Sequence, residues 1–140
     1  MTKIDFYSGG GDRLNTACRL VAKVVRQGLK LMIYTPDAAM AGQLDKLLWT
    51  FSSIDFIPHC HTEDKLSGIT PVVIGRQPPK LPHDDVLLNL DVEYPPFFSR
   101  FQRLIEITGS TAEDTRAARK RYRYYQDRGY EIRHHKLGMV

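Results

Sequence analysis

The stretch that decides the fold is Ile4–Asp12, which reads IDFYSGGGD. Its first four residues alternate like a β-strand, and the three glycines that follow allow a tight turn. Asp12 can then cap a helix, because a short side-chain acceptor satisfies the first free backbone N–H groups. Apolar residues from Leu14 to Val25 recur at spacings of three and four, and Gly28 is typical of a helix end. The chain is therefore predicted to open with a strand, a turn and a helix.

The same alternation continues along the chain. Further strands are predicted at 29–34, 54–58, 71–75, 86–90, 103–107 and 130–133, with a polar loop between 58 and 71. A second helix is predicted after Pro36 and a helical turn at 97–101. A C-terminal helix begins after Ser110 or Thr111, with Glu113 completing a capping box with Ser110, and ends at Gly129.

Strands that alternate with helices indicate a parallel sheet covered on both faces. We therefore expect an α/β fold with three layers, a mostly parallel sheet and helices on both faces. The topology would be Rossmann-like without a nucleotide site, in a single domain over residues 1–140.

The composition is typical of a folded domain rather than a disordered or membrane-spanning chain. The 140 residues include 42% hydrophobic and 26% charged side chains, enough to bury a core without disulfides or metal. Cys18 and Cys60 lie in different segments without a secretory signal, so we expect free thiols in the cytoplasm. Because no apolar run approaches about 20 residues, we expect no membrane span.

Two motifs resemble ligand sites, and neither has the spacing that the chemistry requires. Gly9 and Gly11 fit the first two positions of a dinucleotide-binding G-x-G-x-x-G motif, but Leu14 occupies the third. Residues 59–61, His-Cys-His, carry metal-binding atoms, yet three consecutive ligands are hard to direct at one tetrahedral centre. We expect a tight turn and ordinary loop histidines instead. With no G-x-S-x-G or similar frame, we predict no catalytic residue, no metal and no cofactor.

Positive charge is concentrated near the C-terminus. Residues 116–136 include eight Lys or Arg and two acidic residues, in a protein whose whole net charge is +4. Such a local field attracts anions to one region of the surface. The charge pattern leaves nucleic acid and an acidic peptide equally open as partners.

A helical wheel places the charges of the C-terminal helix beside tyrosines. Arg116, Arg119 and Arg123 fall on one flank. The adjacent stripe, which faces the body of the domain, contains Ala118, Tyr122 and Tyr125. Forked guanidinium donors next to an aromatic wall suit a peptide with carboxylates and one apolar side chain. In the second helix, Trp49 lies off the apolar face and is a candidate exposed anchor.

Several stretches carry a family resemblance: Ile4–Tyr7, Gln43–Trp49, Phe56–His59, Asp85–Leu90 and Ala118–Tyr125 with Gly129 and Tyr130. The most specific is the Leu-Trp pair that is followed by Phe-x-Pro-His. Together they resemble the chi subunits of bacterial DNA polymerase III holoenzyme over nearly the whole chain. The resemblance implies a non-catalytic clamp-loader accessory protein of DNA replication.

The resemblance also implies two partners. The first is the acidic C-terminal tail of single-stranded DNA-binding protein, which would place its carboxylates and terminal Phe against Arg119, Tyr122 and Arg123. Some relatives have a further basic residue at the position of Thr115, and here Arg116 would supply that positive charge. DNA would be reached only through that protein, on the nucleoid.

The second implied partner is the psi subunit, or a repair helicase in some members, at the surface around Trp49 and Phe56. After Arg133 the sequence departs from its better-studied relatives, so no role is assigned there. Two alternatives remain: direct nucleic-acid binding by the basic helix, and a nucleotide-dependent enzyme built around the glycine run.

Overall fold

The structure is a computed structural model, and it describes residues 1–50, 58–61, 70–75 and 84–137. The elements of these residues, in chain order, are β1 (Lys3–Ser8), α1 (Arg13–Arg26), β2 (Leu31–Tyr34), α2 (Ala38–Thr50), β3 (His59–His61), β4 (Val72–Gly75), β5 (Val86–Asn89), a 3₁₀ turn (Phe98–Arg100), β6 (Arg103–Ile107), α3 (Ala112–Asp127) and β7 (Ile132–Lys136). The predicted α/β class is confirmed.

The first strand, turn and helix form as predicted. The Asp12 side chain accepts a hydrogen bond from the backbone N–H of Leu14 at 3.2 Å and so caps α1. Gly9 and Gly11 bracket the turn with φ of 80° and 78°, a left-handed conformation that favours glycine. Gly28, with φ of 79°, follows the last turn of α1. The capping residue Asp12 and the glycine at position 28 therefore set the two ends of this helix.

The strands form one sheet in the order β3-β4-β2-β5-β6-β1-β7, and each neighbouring pair is parallel. The central strands β2 (LMIY) and β5 (VLLN) are buried throughout. Strands covered on both faces read as continuous apolar runs, as these do. Within the described residues, β3 and β7 are the two edges of the sheet.

Helices cover both faces of this sheet. On one face α1 and α2 pack through a core that includes Val21 and Leu48. On the other face α3 and the 3₁₀ turn pack through a second core that includes Tyr125 and Phe98. The expected three-layer arrangement is confirmed.

Residues 59–61 correct one prediction, because they form the edge strand β3 rather than a loop. They pair in register with β4, from His59 opposite Val72 to His61 opposite Ile74. Backbone pairing at a sheet edge overrides the polar character of the segment. Of the strand predicted at 54–58, residues 54–57 lie outside the described residues.

The C-terminal elements correct two further details. Thr111, not Ser110, caps α3, and its hydroxyl accepts from the N–H of Asp114 at 3.0 Å, so Glu113 is not the capping-box partner. The last strand runs over Ile132–Lys136 instead of ending at Arg133. In the described part of the chain, the helices are too short or too polar to cross a bilayer.

Candidate functional site

The helix α3 carries most of the predicted site, and its buried face fixes its position on the sheet. Ala118 and Tyr125 are buried, and Tyr122 is half-buried beside them. The stripe predicted to face the domain therefore does so. Gly129, with φ of 80°, ends the helix and lets the chain return to the sheet as β7.

A cavity of about 530 Å³ lies between α3 and the sheet. We call it the α3 cavity, and its lining residues are Phe6, Ser8, Thr108, Thr115, Ala118, Arg119, Tyr122 and His134. Ser8 ends β1 and Thr108 follows β6, so the cavity lies at the carboxyl ends of these strands. Open parallel sheets characteristically bind ligands at that end.

Three rings form the apolar wall of the α3 cavity. Tyr122 meets Phe6 edge to face, with ring centroids 5.5 Å apart, and His134 stacks on Phe6 at 6.0 Å. The rings of Tyr122 and His134 are 5.1 Å apart. Arg119 is exposed at the rim. The cavity thus offers an aromatic surface for an apolar group beside a guanidinium for a carboxylate.

The predicted arginines are distributed over the surface of α3. Arg119 lines the α3 cavity with Tyr122. Arg116 instead lines a groove of about 340 Å³ on the other flank, together with Lys120. Arg123 is exposed and lines neither. A helix turns 100° per residue, so Arg116 and Arg119 are 60° apart; Arg119 borders the cavity against the sheet, and Arg116 borders the groove against the loop after β5.

A larger cavity, of about 580 Å³, lies at the opposite end of the sheet. Met1, Lys3 and Arg103 are among its lining residues, so it opens at the amino ends of β1 and β6. By volume alone, this cavity would be preferred to the α3 cavity as a binding site. Its wall includes none of the residues that the sequence points to, and its place at the amino ends is unusual for a binding site in a parallel sheet.

Beneath α3 lies a buried polar network centred on Glu106 of β6. Its Oε1 accepts from Arg121 Nε at 2.9 Å, and its Oε2 accepts from Tyr125 at 2.5 Å and from Asn89 Nδ2 at 3.0 Å. Arg121 also donates through Nη1 to the carbonyl of Val92 at 2.9 Å. Glu106 and Asn89 are fully buried and Arg121 is nearly so. The network ties α3 to β5, to β6 and to the loop after β5.

The environment of this network changes its titration. Burial raises the pKa of Glu106, and the charge of Arg121 and the hydrogen bonds from Tyr125 and Asn89 act against the rise. Burial next to Glu106 also raises the pKa of Tyr125, which keeps its hydroxyl a donor. These groups hold one another in place and fix α3 on the sheet.

A second polar cluster fastens β7 to β1 on the opposite face of the sheet. The buried carboxylate of Asp5 accepts from Arg103 Nε at 2.7 Å, lies 2.9 Å from His135 Nε2 and is 3.5 Å from Arg133 Nε. Tyr7 stacks on His135 with ring centroids 4.6 Å apart. Although burial raises the pKa of Asp5, the hydrogen bonds from His135 and Arg103 and the nearby charges bring it below its ordinary value.

Trp49 lies at the other end of the molecule. Its side chain is 53% exposed at the end of α2, and its ring is 4.8 Å from that of His59 on β3. His59 is itself 3.0 Å from Asp45. Phe56, the second residue predicted for this surface, lies outside the described residues. The α3 cavity is lined by β1 and β7, whereas Trp49 contacts β3, so the two lie towards opposite edges of a sheet whose edge strands are about 29 Å apart, at about 4.8 Å per strand spacing.

Comparison with known proteins decides the family. The family model described as DNA polymerase III chi subunit, HolC, matches residues 1–133. The chain belongs to the DNA polymerase III chi subunit family. This is a family of DNA replication proteins, and the resemblance found in the sequence is confirmed.

Three relatives in this family are named DNA polymerase III subunit chi. The one from Pseudomonas aeruginosa is 36% identical, with all of both chains covered. The one from Haemophilus influenzae is 29% identical over 87% of this chain and 85% of its own. The one from Escherichia coli is 26% identical over 82% of this chain and 79% of its own.

In this chi-family chain, the structure adds residues that the sequence reasoning did not single out. His134 forms part of the cavity wall, and Arg121 is an internal anchor rather than a surface charge. A signal for Arg121 was available: it is three residues after Ala118 and four before Tyr125, on the buried face. Glu106 in the apolar strand RLIEI was the matching signal for a buried acceptor.

Proposed function

We propose that this chi-family chain is a non-catalytic subunit that links the clamp-loader complex of DNA polymerase III to the acidic C-terminal tail of single-stranded DNA-binding protein. Binding of the tail is supported by the α3 cavity, with its wall of Phe6, Tyr122 and His134 and the exposed Arg119 at its rim. An apolar terminal side chain would enter against the rings. Its terminal carboxylate would accept from Arg119.

The basic surface of α3 extends this site beyond the cavity. Arg123 is exposed one turn after Arg119, and Arg116 lies one turn before it on the neighbouring groove. Aspartates that precede the terminal residue would meet Arg123 first, and Arg116 would add to the attractive field from the far side. Exposed charge pairs are screened by salt, so the affinity should fall between 0.05 and 0.5 M salt.

The test is a titration with an aspartate-rich peptide that ends in Pro-Phe, followed by fluorescence anisotropy at low salt. Loss of a charge-assisted hydrogen bond costs about 1.5–3 kcal/mol, so Arg119→Ala should weaken binding about tenfold or more. Tyr122→Ala should weaken it through loss of the aromatic wall. Lys23→Ala on α1 removes the same charge at a distance and should change affinity little. Absence of binding by the unaltered chain, or equal loss in the Lys23 and Arg119 variants, would reject the proposal.

For the other half of the link, we propose that the surface around Trp49 and Phe56 binds the psi subunit, or a repair helicase in its place. Trp49 is half exposed at the end of α2, and Trp is enriched among residues that dominate interface energies. A pull-down from native lysate identifies the partner. Trp49→Ala should release it while leaving the acidic-tail peptide bound, and retention of every partner by that variant would refute the assignment.

Direct binding of single-stranded nucleic acid is a second candidate, favoured by one observation. Tyr94 stacks on Tyr124 with ring centroids 3.7 Å apart, and the guanidinium of Arg128 lies 4.2 Å from the centre of the Tyr124 ring. Lys120, in the groove beside α3, adds positive charge. Stacked aromatics next to basic side chains are what bases and phosphates require.

Affinity for a bare oligonucleotide separates the two candidates. If the linking function is correct, bare DNA binds far more weakly than DNA coated with its binding protein, and Tyr124→Ala changes neither affinity. Comparable affinities that fall with Tyr124→Ala would favour direct binding.

A further inference from the structure

Among the residues that the structure describes, β7 is an edge strand that pairs with β1 on one side. The backbone carbonyl of Glu131 accepts from the N–H of Ile4 at 3.1 Å, and the backbone N–H of Leu137 donates to the carbonyl of Ser8 at 2.7 Å. Backbone groups of successive residues point to opposite sides of a strand. Since 131 and 137 face β1, so do 133 and 135, and the N–H and C=O groups of Ile132, His134 and Lys136 point outward.

This edge is regular enough to receive another strand. β7 pairs with β1 in unbroken register from Ile132 opposite Ile4 to Lys136 opposite Ser8. The strand has no proline or bulge, two common means of blocking edge pairing, and its charged residues Arg133 and Lys136 would discourage an uncharged or basic strand more than an acidic one. The Asp5 cluster fastens β7 to β1 through His135 and Arg133. In the part of the chain that the structure describes, β7 has a strand on one side only.

The edge runs directly into the α3 cavity. His134 contributes its ring to the cavity wall, against Phe6 and Tyr122, and its backbone belongs to the outward-facing set. A peptide whose last residue enters the cavity beside Arg119 therefore passes along the outer side of β7. In an extended conformation, the backbone of this peptide is within hydrogen-bonding reach of the outward N–H and C=O groups of β7.

Charge selects the kind of peptide that fits. Residues 131–136 of the edge include Arg133, Lys136 and two histidines against the single acid Glu131. Arg133 is 56% exposed even though it lies near Asp5. An acidic extended segment complements this strand, whereas a basic segment would be repelled.

We propose that an acidic peptide held in the α3 cavity adds an eighth strand to the sheet along β7, by hydrogen bonds to the backbone of Ile132, His134 and Lys136. The inference rests on the proposed function, since it uses the same peptide. It goes further in stating the binding mode: backbone pairing supplies part of the affinity, and the cavity with its arginine supplies the specificity.

Hydrogen exchange of the backbone amides tests this mode on the unaltered protein. Saturation with the aspartate-rich peptide ending in Pro-Phe should slow exchange at residues 132, 134 and 136 by about tenfold. The amides of 133 and 135 already bond to β1 and serve as internal controls, with little change expected. Uniform slowing along β7, or no slowing at the three outward amides, would overturn the inference.

Peptides methylated at backbone nitrogens provide a second measurement. Methylation at one set of alternate residues removes donors that face β7 and should weaken binding about tenfold, whereas methylation at the other set should leave affinity nearly unchanged. Equal effects of the two sets would contradict strand addition. If the unmethylated peptide binds and depends on Arg119 but shows no alternation, only this inference fails. If it does not bind at all, the proposed function fails with it.

Discussion

Replacing the buried Arg121 by methionine tests whether the Glu106 network positions α3. Methionine keeps most of the length of the side chain and removes the guanidinium. Arg121 is 4% exposed and Glu106 is fully buried, so the variant leaves a carboxylate in the interior with only Tyr125 and Asn89 as donors. Breaking a buried ion pair by removing one partner costs about 3–5 kcal/mol. We expect Arg121→Met to lower the free energy of unfolding by that amount.

Urea denaturation at pH 7, followed by circular dichroism, measures this loss. Arg119→Met makes the same chemical change two residues earlier, at an exposed position, and should alter stability by about 0.5 kcal/mol or less. The double variant Glu106→Gln with Arg121→Met buries no charge and should recover part of the loss, because the amide oxygen still accepts from Tyr125 or Asn89.

Lower pH should reduce the deficit of Arg121→Met. Burial already raises the pKa of Glu106 above its ordinary 4.5, and removal of the opposing charge of Arg121 raises it further. An acid whose folded-state pKa is raised stabilises the protein at low pH and loses that contribution as pH increases through the interval between its unfolded and folded pKa. The variant should therefore approach the unaltered protein as pH falls from 7 towards 4.5. A loss under about 1 kcal/mol at pH 7, or a deficit that grows on acidification, would refute the reasoning.

Two further predictions concern titrating groups elsewhere. The pKa of Asp5 is below its ordinary 3.8, so its contribution to stability is present above that pH and is lost as pH falls through the folded-state pKa. Asp5→Asn should lower the free energy of unfolding by about 1–3 kcal/mol at pH 7. The difference in urea midpoint between this variant and the unaltered protein should narrow only below about pH 3.8. If that difference already narrowed near pH 6, the pH dependence would belong to a group other than Asp5. Burial raises the pKa of the Cys18 thiol to about 11, so in a Cys60→Ser background a thiol reagent at pH 8 should label Cys18 only after unfolding, and rapid labelling of the native protein would contradict this.

The sequence predicted the elements with local signals better than those that depend on distant partners. Asp12, Gly28 and Gly129 are positioned by short-range backbone needs, and each lies where its residue type requires. β3 was missed because it forms by backbone pairing with β4 and by contacts of His59 with α2, neither of which leaves a pattern in its three residues. Residues 54–57, which make up most of the strand predicted at 54–58, lie outside the described residues.

The candidate site was predictable in its helix and not in its sheet. The wheel identified Tyr122 and Arg119 because both belong to α3. It could not identify Phe6 and His134, since these reach the cavity only through the pairing of β1 with β7. The count of basic residues near the C-terminus also included Arg121 among the charges that attract anions, although Arg121 points into the protein towards Glu106. The order of the strands, which the sequence does not encode locally, brings Phe6 and His134 together at the cavity and places Glu106 beneath Arg121.

The separation of the two proposed surfaces has a consequence for how the partners bind. The α3 cavity and Trp49 lie towards opposite edges of one parallel sheet, whose edge strands β3 and β7 are about 29 Å apart, and α3 is fixed to that sheet by Glu106. Coupling between sites requires an element with two arrangements that both ligands bias. A buried sheet and a helix anchored through a fully bonded carboxylate offer no second arrangement of this kind. We therefore expect the affinity for the acidic-tail peptide to change less than about twofold when the partner at Trp49 is bound. A titration of the peptide with and without that partner measures this, and a larger change would show that the sheet is not the rigid spacer that its packing implies.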